Sequence, residues 1–169
     1  LKKNLVLTGM MGVGKSTIGK ALSNTLNMNF FDTDQIIEKE ENALIKDIFK
    51  NKGEEYFRKV EKKISIEKIN EKNSIIALGG GAFVNKDIRE SVLKNAISFW
   101  LNVDLKILLK RLSGVKKRPL LNEGNLEEKM YEIYEKRKYT YSLANFKIDC
   151  NENNIPMIVN KICKIYEDK

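Results

Sequence analysis

No histidine occurs anywhere in the chain, so catalysis by imidazole is excluded. Cysteine is nearly absent. Cys150 and Cys163 lie close to the C-terminus and form neither a CxxC pair nor a disulfide framework, which suits a reducing cytoplasm. The only prolines, Pro119 and Pro156, fall late, and no proline-rich linker, repeat or low-complexity block divides the chain. No apolar run approaches the roughly 18 residues that a membrane-spanning helix needs, so no membrane role is expected. The scarcest cation is arginine: 26 of the 31 Lys and Arg residues are lysine, leaving Arg58, Arg89, Arg111, Arg118 and Arg137.

The 169 residues fit one domain with a sizeable core. The formal net charge is +8, but the lysines are interleaved with glutamate in a chain also rich in asparagine and isoleucine. That mixture reads as a coding bias, not as a selected nucleic-acid surface. A basic pocket for an anionic small molecule is the better expectation. The bias makes arginine informative, because a site that needs a planar, bidentate fork for carboxylate or phosphate is poorly served by lysine. Arg89 is read as a surface residue, and the other four are candidate anion contacts.

Short apolar runs alternate with helical patterns. Strands are expected at 4–8, 29–32, 74–78, 97–101 and 146–149, and helices at 15–26, 33–41, 43–51, 53–71, 85–94, 104–111, 126–143 and 155–167. The opening "LKKNLVLTGMMG" runs straight into a glycine motif and reads as a first strand, not a signal peptide. Alternation of this kind implies an α/β fold with a parallel sheet covered on both faces. Ligands in such sheets collect at the carboxyl ends of the strands. The basic stretch "SGVKKRPLLNEGN" fits no element and has the length and glycines of a lid.

"GMMGVGKST", residues 9–17, matches G-x-x-x-x-G-K-[ST] between a strand and a helix, the context this phosphate loop requires. Its glycines let backbone N–H groups turn onto phosphate oxygens at a helix N-terminus. Gly12, Val13, Gly14, Lys15, Ser16 and Thr17 are therefore assigned to a nucleoside triphosphate. Within that group Lys15 serves the β- and γ-phosphates and Ser16 serves Mg²⁺. The strand at 75–78 ends in leucine and then glycine, so the acidic partner of the metal must come from elsewhere.

"FFDTDQ" supplies Asp32 and Asp34 on one side of a strand end. One suits the water shell of a metal and the other an attacking hydroxyl, although aspartate also caps helices well. Arg58 and Glu61 lie three apart on a helix. They make either an ordinary surface pair or a braced clamp for a carboxylate. Arg118 sits in the expected lid, where it can close over a transferring phosphoryl group, and Arg137 sits on a late helix. Gly79, Gly80 and Gly81 end the third strand, where an acceptor must approach Asp34 and where their N–H groups are placed to bind it.

The ordered set "GMMGVGKST", "DTD", "GEEYFR..E", "GGG", "RPLL" and "R...Y" resembles the shikimate kinases, which have a nucleoside-monophosphate-kinase-like P-loop fold. That resemblance implies transfer of the ATP γ-phosphoryl group to the 3-hydroxyl of shikimate. It implies a five-stranded parallel sheet in the order 2-3-1-4-5, an acceptor-binding segment near 33–61 and a lid near 112–124 within a single domain. Carried over by position, Asp34, Arg58, Gly79, Gly80, Gly81 and Arg137 bind the acceptor, with Asp34 as the base. Lys15 and Arg118 stabilise the transferring group. Ser16 holds Mg²⁺ directly and Asp32 holds it through water. Arg111 stacks on adenine, and Phe49 and Phe57 wall the acceptor pocket. The chain departs from the family pattern at "NENNIP", where a basic residue is common near adenine, and at Asn145, where an acid is common. A cytoplasmic monomer with ATP and shikimate as ligands and no nucleic-acid partner is expected. The rivals are a related gluconate-type kinase and a nucleic-acid-binding ATPase.

Overall fold

The computed structural model describes residues 3–112 and 126–169. Its centre is a run of apolar residues that water cannot reach. Strand β1 (Asn4–Thr8) is buried along its whole length. So is β3 (Ser74–Ala77), and β4 (Ala96–Asn102) is buried at five of its seven positions. Continuous burial of this kind belongs to strands covered on both faces. The edge strands β2 (Asn29–Asp32) and β5 (Phe146–Asp149) are only partly covered. All pairings are parallel, in the order β2-β3-β1-β4-β5.

Register decides where the chemistry can be. Leu7 pairs with Ala77, and Ala77 pairs with Asp32. β2 and β3 thus end on one row and β1 one residue beyond it, and three motifs leave the sheet side by side: Gly9 onward, Gly79 onward and Thr33 onward. Helix α1 (Lys15–Leu26) carries the chain from β1 to β2 in one direction across the sheet, and α4 (Lys86–Asn95) carries it from β3 to β4 in the other. Right-handed crossovers place them on opposite faces. α1 packs with α7 (Ile155–Glu167), and α4 packs with α3 (Ile45–Ile69). The crevice between the carboxyl ends of β1 and β3, where the two directions part, is the place for ligands.

Two apolar clusters form. The larger surrounds the sheet. The smaller, Ile37, Ile48, Phe57 and Ile64, lies between α2 (Thr33–Glu41) and α3. The two expected helices at 43–51 and 53–71 are both present as helical segments of α3, starting at Ile45, ending at Ile69 and divided at Gly53, whose φ 82° and ψ 168° are not helical. Ala82–Val84 is a 3₁₀ turn ahead of α4, and α5 and α6 span Leu105–Leu112 and Leu126–Tyr141. Among the described residues no helix is long and apolar enough to cross a membrane. Of the expected lid, only Leu112 falls within the described residues.

Candidate active site

The phosphate loop is built on backbone angles that side chains avoid. Gly14, immediately before α1, has φ 100° and ψ 20°. A Cβ on Gly9 (φ +140°) would sit 2.5 Å from the Leu101 carbonyl oxygen, so β4 itself forbids a side chain there. Lys15 folds over the loop and donates from Nζ to the carbonyls of Gly9 at 2.8 Å and Met10 at 2.9 Å. The N-terminus of α1 opens on the crevice that Ser16 lines, a setting suited to anions.

Ser16 and Asp32 meet across this crevice, the Ser16 hydroxyl donating to Asp32 Oδ2. The other oxygen of Asp32 accepts the Gln35 N–H at 3.2 Å and caps α2. The capping reading of Asp32 is thus realised, with its second oxygen left to Ser16. No group of three or more His, Cys, Asp or Glu side chains is arranged around a metal position among the described residues. The Ser16–Asp32 pair offers two hard oxygen donors beside the phosphate loop. That fits Mg²⁺, which takes one or two protein oxygens and completes its shell with phosphate and water.

The triple glycine is explained by space. None of the three has a left-handed φ; instead, side chains crowd them. A Cβ on Gly79 would lie 2.5 Å from Asp34 Oδ1 and 3.0 Å from Glu61 Oε1. On Gly81 it would lie 2.7 Å from Arg58 Nη1, and on Gly80 it would lie 3.3 Å from the Met11 nitrogen and 3.7 Å from Arg137 Nη1. The Gly79 N–H is engaged, donating at 3.0 Å to the hydroxyl of buried Thr33, which in turn donates to the Ala77 carbonyl at 3.3 Å. Thr33 thereby fixes the start of α2 to the end of β3.

A cavity of ≈ 300 Å³ opens beside these groups, lined by Ser16, Asp32, Asp34, Arg58, Glu61, Gly80, Gly81 and Arg137 among others. Phe49 and Phe57 wall it with ring centroids 4.7 Å apart. The Arg58 guanidinium carbon lies 5.2 Å from the Phe57 centroid. Arg58 Nη1 pairs with Glu61 at 2.8 Å, and Nη2 pairs with Glu54 at 3.2 Å. The partners differ in kind, Glu61 being 2% exposed and Glu54 62%. Burial pushes the Glu61 carboxyl above the usual carboxylate range, and Arg58 and then Arg137 act against it.

Arg111 lies at the far side, donating from Nη2 to the Cys150 carbonyl at 3.2 Å. It abuts the loop 149–154, which lines a second cleft of ≈ 370 Å³. In that loop two asparagines hold the backbone. Asn151 Oδ1 accepts the Asp104 N–H, and Asn154 caps α7. Burial pushes the Cys150 thiol up to about 11, so it remains a thiol. Asn145 holds the β4–β5 edge by accepting from Ser98 N and Oγ. Arg118 lies outside the described residues. Thr33, Gln35, Glu38 and Tyr141 belong to the site's walls or supports and were not individually read from the sequence. Only Thr33 and Tyr141 had a signal, their places inside "DTD" and "R...Y".

The family model for shikimate kinase matches residues 11–167. A shikimate kinase from Sulfurihydrogenibium sp. is 41% identical over 160 residues, covering 95% of this chain and 95% of that protein. One from Caldanaerobacter subterraneus subsp. tengcongensis is 38% identical over 164 residues, covering 97% and 96%. Among solved structures, shikimate kinase from Acinetobacter baumannii in complex with shikimate superposes with a TM-score of 0.95 at 32% identity, covering 99% of this chain and 94% of that one.

Proposed function

The chain belongs to the shikimate kinase family, and we propose that the crevice at the ends of β1, β2 and β3 is where its two substrates meet. The protein is an ATP-dependent kinase that phosphorylates the 3-hydroxyl of shikimate, giving ADP and shikimate 3-phosphate, a step of aromatic amino acid biosynthesis. One observation carries the assignment of the site: Arg58 and Arg137 reach the same cavity as Asp34 and Ser16. Two guanidinium groups suit a carboxylate, a carboxylate suits a hydroxyl, and the phosphate loop lies between them and the nucleotide.

In this reading Arg58 keeps Glu61 as a permanent partner and exchanges its exposed contact with Glu54 for the shikimate carboxylate. That exchange is cheap, because exposed ion pairs contribute little. Arg137 completes the clamp. Asp34 accepts the proton as the acceptor oxygen bonds to the γ-phosphorus and the bond to the β-phosphate oxygen breaks. Lys15 leaves the Gly9 and Met10 carbonyls for the phosphates, and Arg118 joins it on the transferring group. Ser16 and Asp32 would hold Mg²⁺, which supplies charge neutralisation on the β- and γ-oxygens. Arg111 faces the adenine. Residues 33–61 form the acceptor-binding segment and 112–124 a lid that excludes competing water. The reading includes a cytoplasmic monomer without nucleic-acid or membrane partners.

The test is ADP release from purified protein with ATP and Mg²⁺, with and without shikimate. Release that requires shikimate supports the reading. Release independent of shikimate points to an ATPase or another acceptor and overturns it.

A further inference from the structure

Tyr141 closes α6 inside the molecule, 0% exposed. A buried tyrosine needs a partner for its hydroxyl. Tyr141 takes the carbonyl of Gly80, 61 residues earlier, and its oxygen also lies 3.7 Å from the sulfur of Met10 in the phosphate loop. One hydroxyl therefore touches both glycine loops. Its ring is fixed from the side by Trp100, with centroids 6.1 Å apart. Arg137, four residues before it on α6, lines the cavity.

We propose that Tyr141 is a positioning residue for the acceptor, setting the orientation of the Gly80–Gly81 peptide. This rests on the site reading above. A trans peptide is planar, so its C=O and the following N–H point in opposite directions. Tyr141 draws the Gly80 carbonyl toward the interior. The Gly81 N–H must then point outward, into the cavity that Gly80 and Gly81 line. No protein group accepts from that N–H among the described residues. Without the tyrosine hydroxyl the peptide is free to turn, because no side chain at Gly80 or Gly81 resists rotation. A turned peptide presents the acceptor with a carbonyl oxygen in place of a donor. The hydroxyl is suited to a permanent donor role, since burial pushes its pKa up even against Arg137 and Arg58.

Tyr141→Phe keeps the ring and removes only the hydroxyl. In the active enzyme the KM for shikimate should rise about tenfold, the size of one well-placed hydrogen bond, while the KM for ATP stays within about twofold. Equal changes in both constants, or none in either, would overturn the proposal while leaving shikimate kinase activity intact. A wild-type enzyme that ignores shikimate would instead overturn the functional reading itself. If the variant does not fold, NMR on the wild type decides. The Gly81 amide proton should move downfield on titration with shikimate alone, and an unmoved Gly81 amide overturns the inference.

Discussion

Asp34 is the side chain whose removal should separate binding from chemistry. Asp34→Asn keeps the volume and loses the proton acceptor. Turnover should fall by at least about a hundredfold, while ATP affinity, measured by equilibrium titration, is unchanged. Full turnover would remove Asp34 from its role. Gly79→Ala should act on the same residue from behind. Its Cβ would stand 2.5 Å from Asp34 Oδ1, closer than any van der Waals contact, so kcat should drop and the shikimate KM rise together, with ATP binding spared. Glu61 makes a prediction in pH. Burial raises its pKa in the folded protein, so the folded state holds that proton more tightly than the unfolded chain. Its contribution to stability is therefore fullest below the ordinary carboxylate pKa and is lost as pH rises through the folded value. Glu61→Gln has no such dependence. The wild-type melting temperature minus that of the variant should shrink as pH rises from about 4 to about 8, and a difference that widens would reject this account. At this scale the sequence was informative where residue type is constrained by chemistry. Scarce arginine pointed to Arg58 and Arg137, both of which line one cavity. The three glycines were legible as a place that a side chain would obstruct. Of their N–H groups, expected to bind the acceptor, that of Gly79 is engaged by Thr33; which side chains need the clearance, Asp34, Glu61 and Arg58, is a property of neighbours far away in the chain.

Among the elements, α3 carries the sharpest consequence. Gly53 holds φ 82° and ψ 168°, a region closed to residues with a Cβ, and the kink stands between Phe49 and Phe57. A Cβ there would meet nothing within 4 Å, so Gly53→Ala is penalised by backbone strain alone, about 1–3 kcal/mol. For a chain of this size the melting temperature should fall by roughly 3–10 °C. The shikimate KM should rise as the two rings separate. A variant that melts like the wild type would mean that α3 runs on through this position at no cost. Periodicity located both helical segments and the break between them beside Gly53, while the left-handed angles that make the break are a property of the fold. Both edge strands and the capped helices α2 and α7 were read to the residue, whereas α4 starts one residue later than expected because Asn85 is its cap; β2 ends at Asp32 because Asp32 is also the cap of α2. The 3₁₀ turn at Ala82–Val84 was missed. It is held by contacts such as Ala82 N–H to the Gly79 carbonyl, which a pattern of apolar residues does not encode.

At the scale of the whole molecule, the order of strands followed from the resemblance, and the parallel pairing followed from alternation. The division of the core was not legible. Ile37, Ile48, Phe57 and Ile64 are apolar like their neighbours in sequence, and only the fold separates them from the cluster around the sheet. A small cluster beside a large one should open locally before the molecule unfolds. Hydrogen exchange should therefore be faster in α2 and the first half of α3 than in β1. Shikimate should slow it there, whereas the nucleotide alone should slow it mainly around α1. Uniform protection by either ligand would argue against two cooperative units. The separate small core also bears on how such enzymes are remade. A segment that satisfies its own apolar side chains can be grafted onto another phosphate-loop sheet without recutting the interior of the recipient. The seam that must match is narrow: the hydroxyl of Thr33, joined to Ala77 and Gly79, marks where a transplanted acceptor module would have to be stitched.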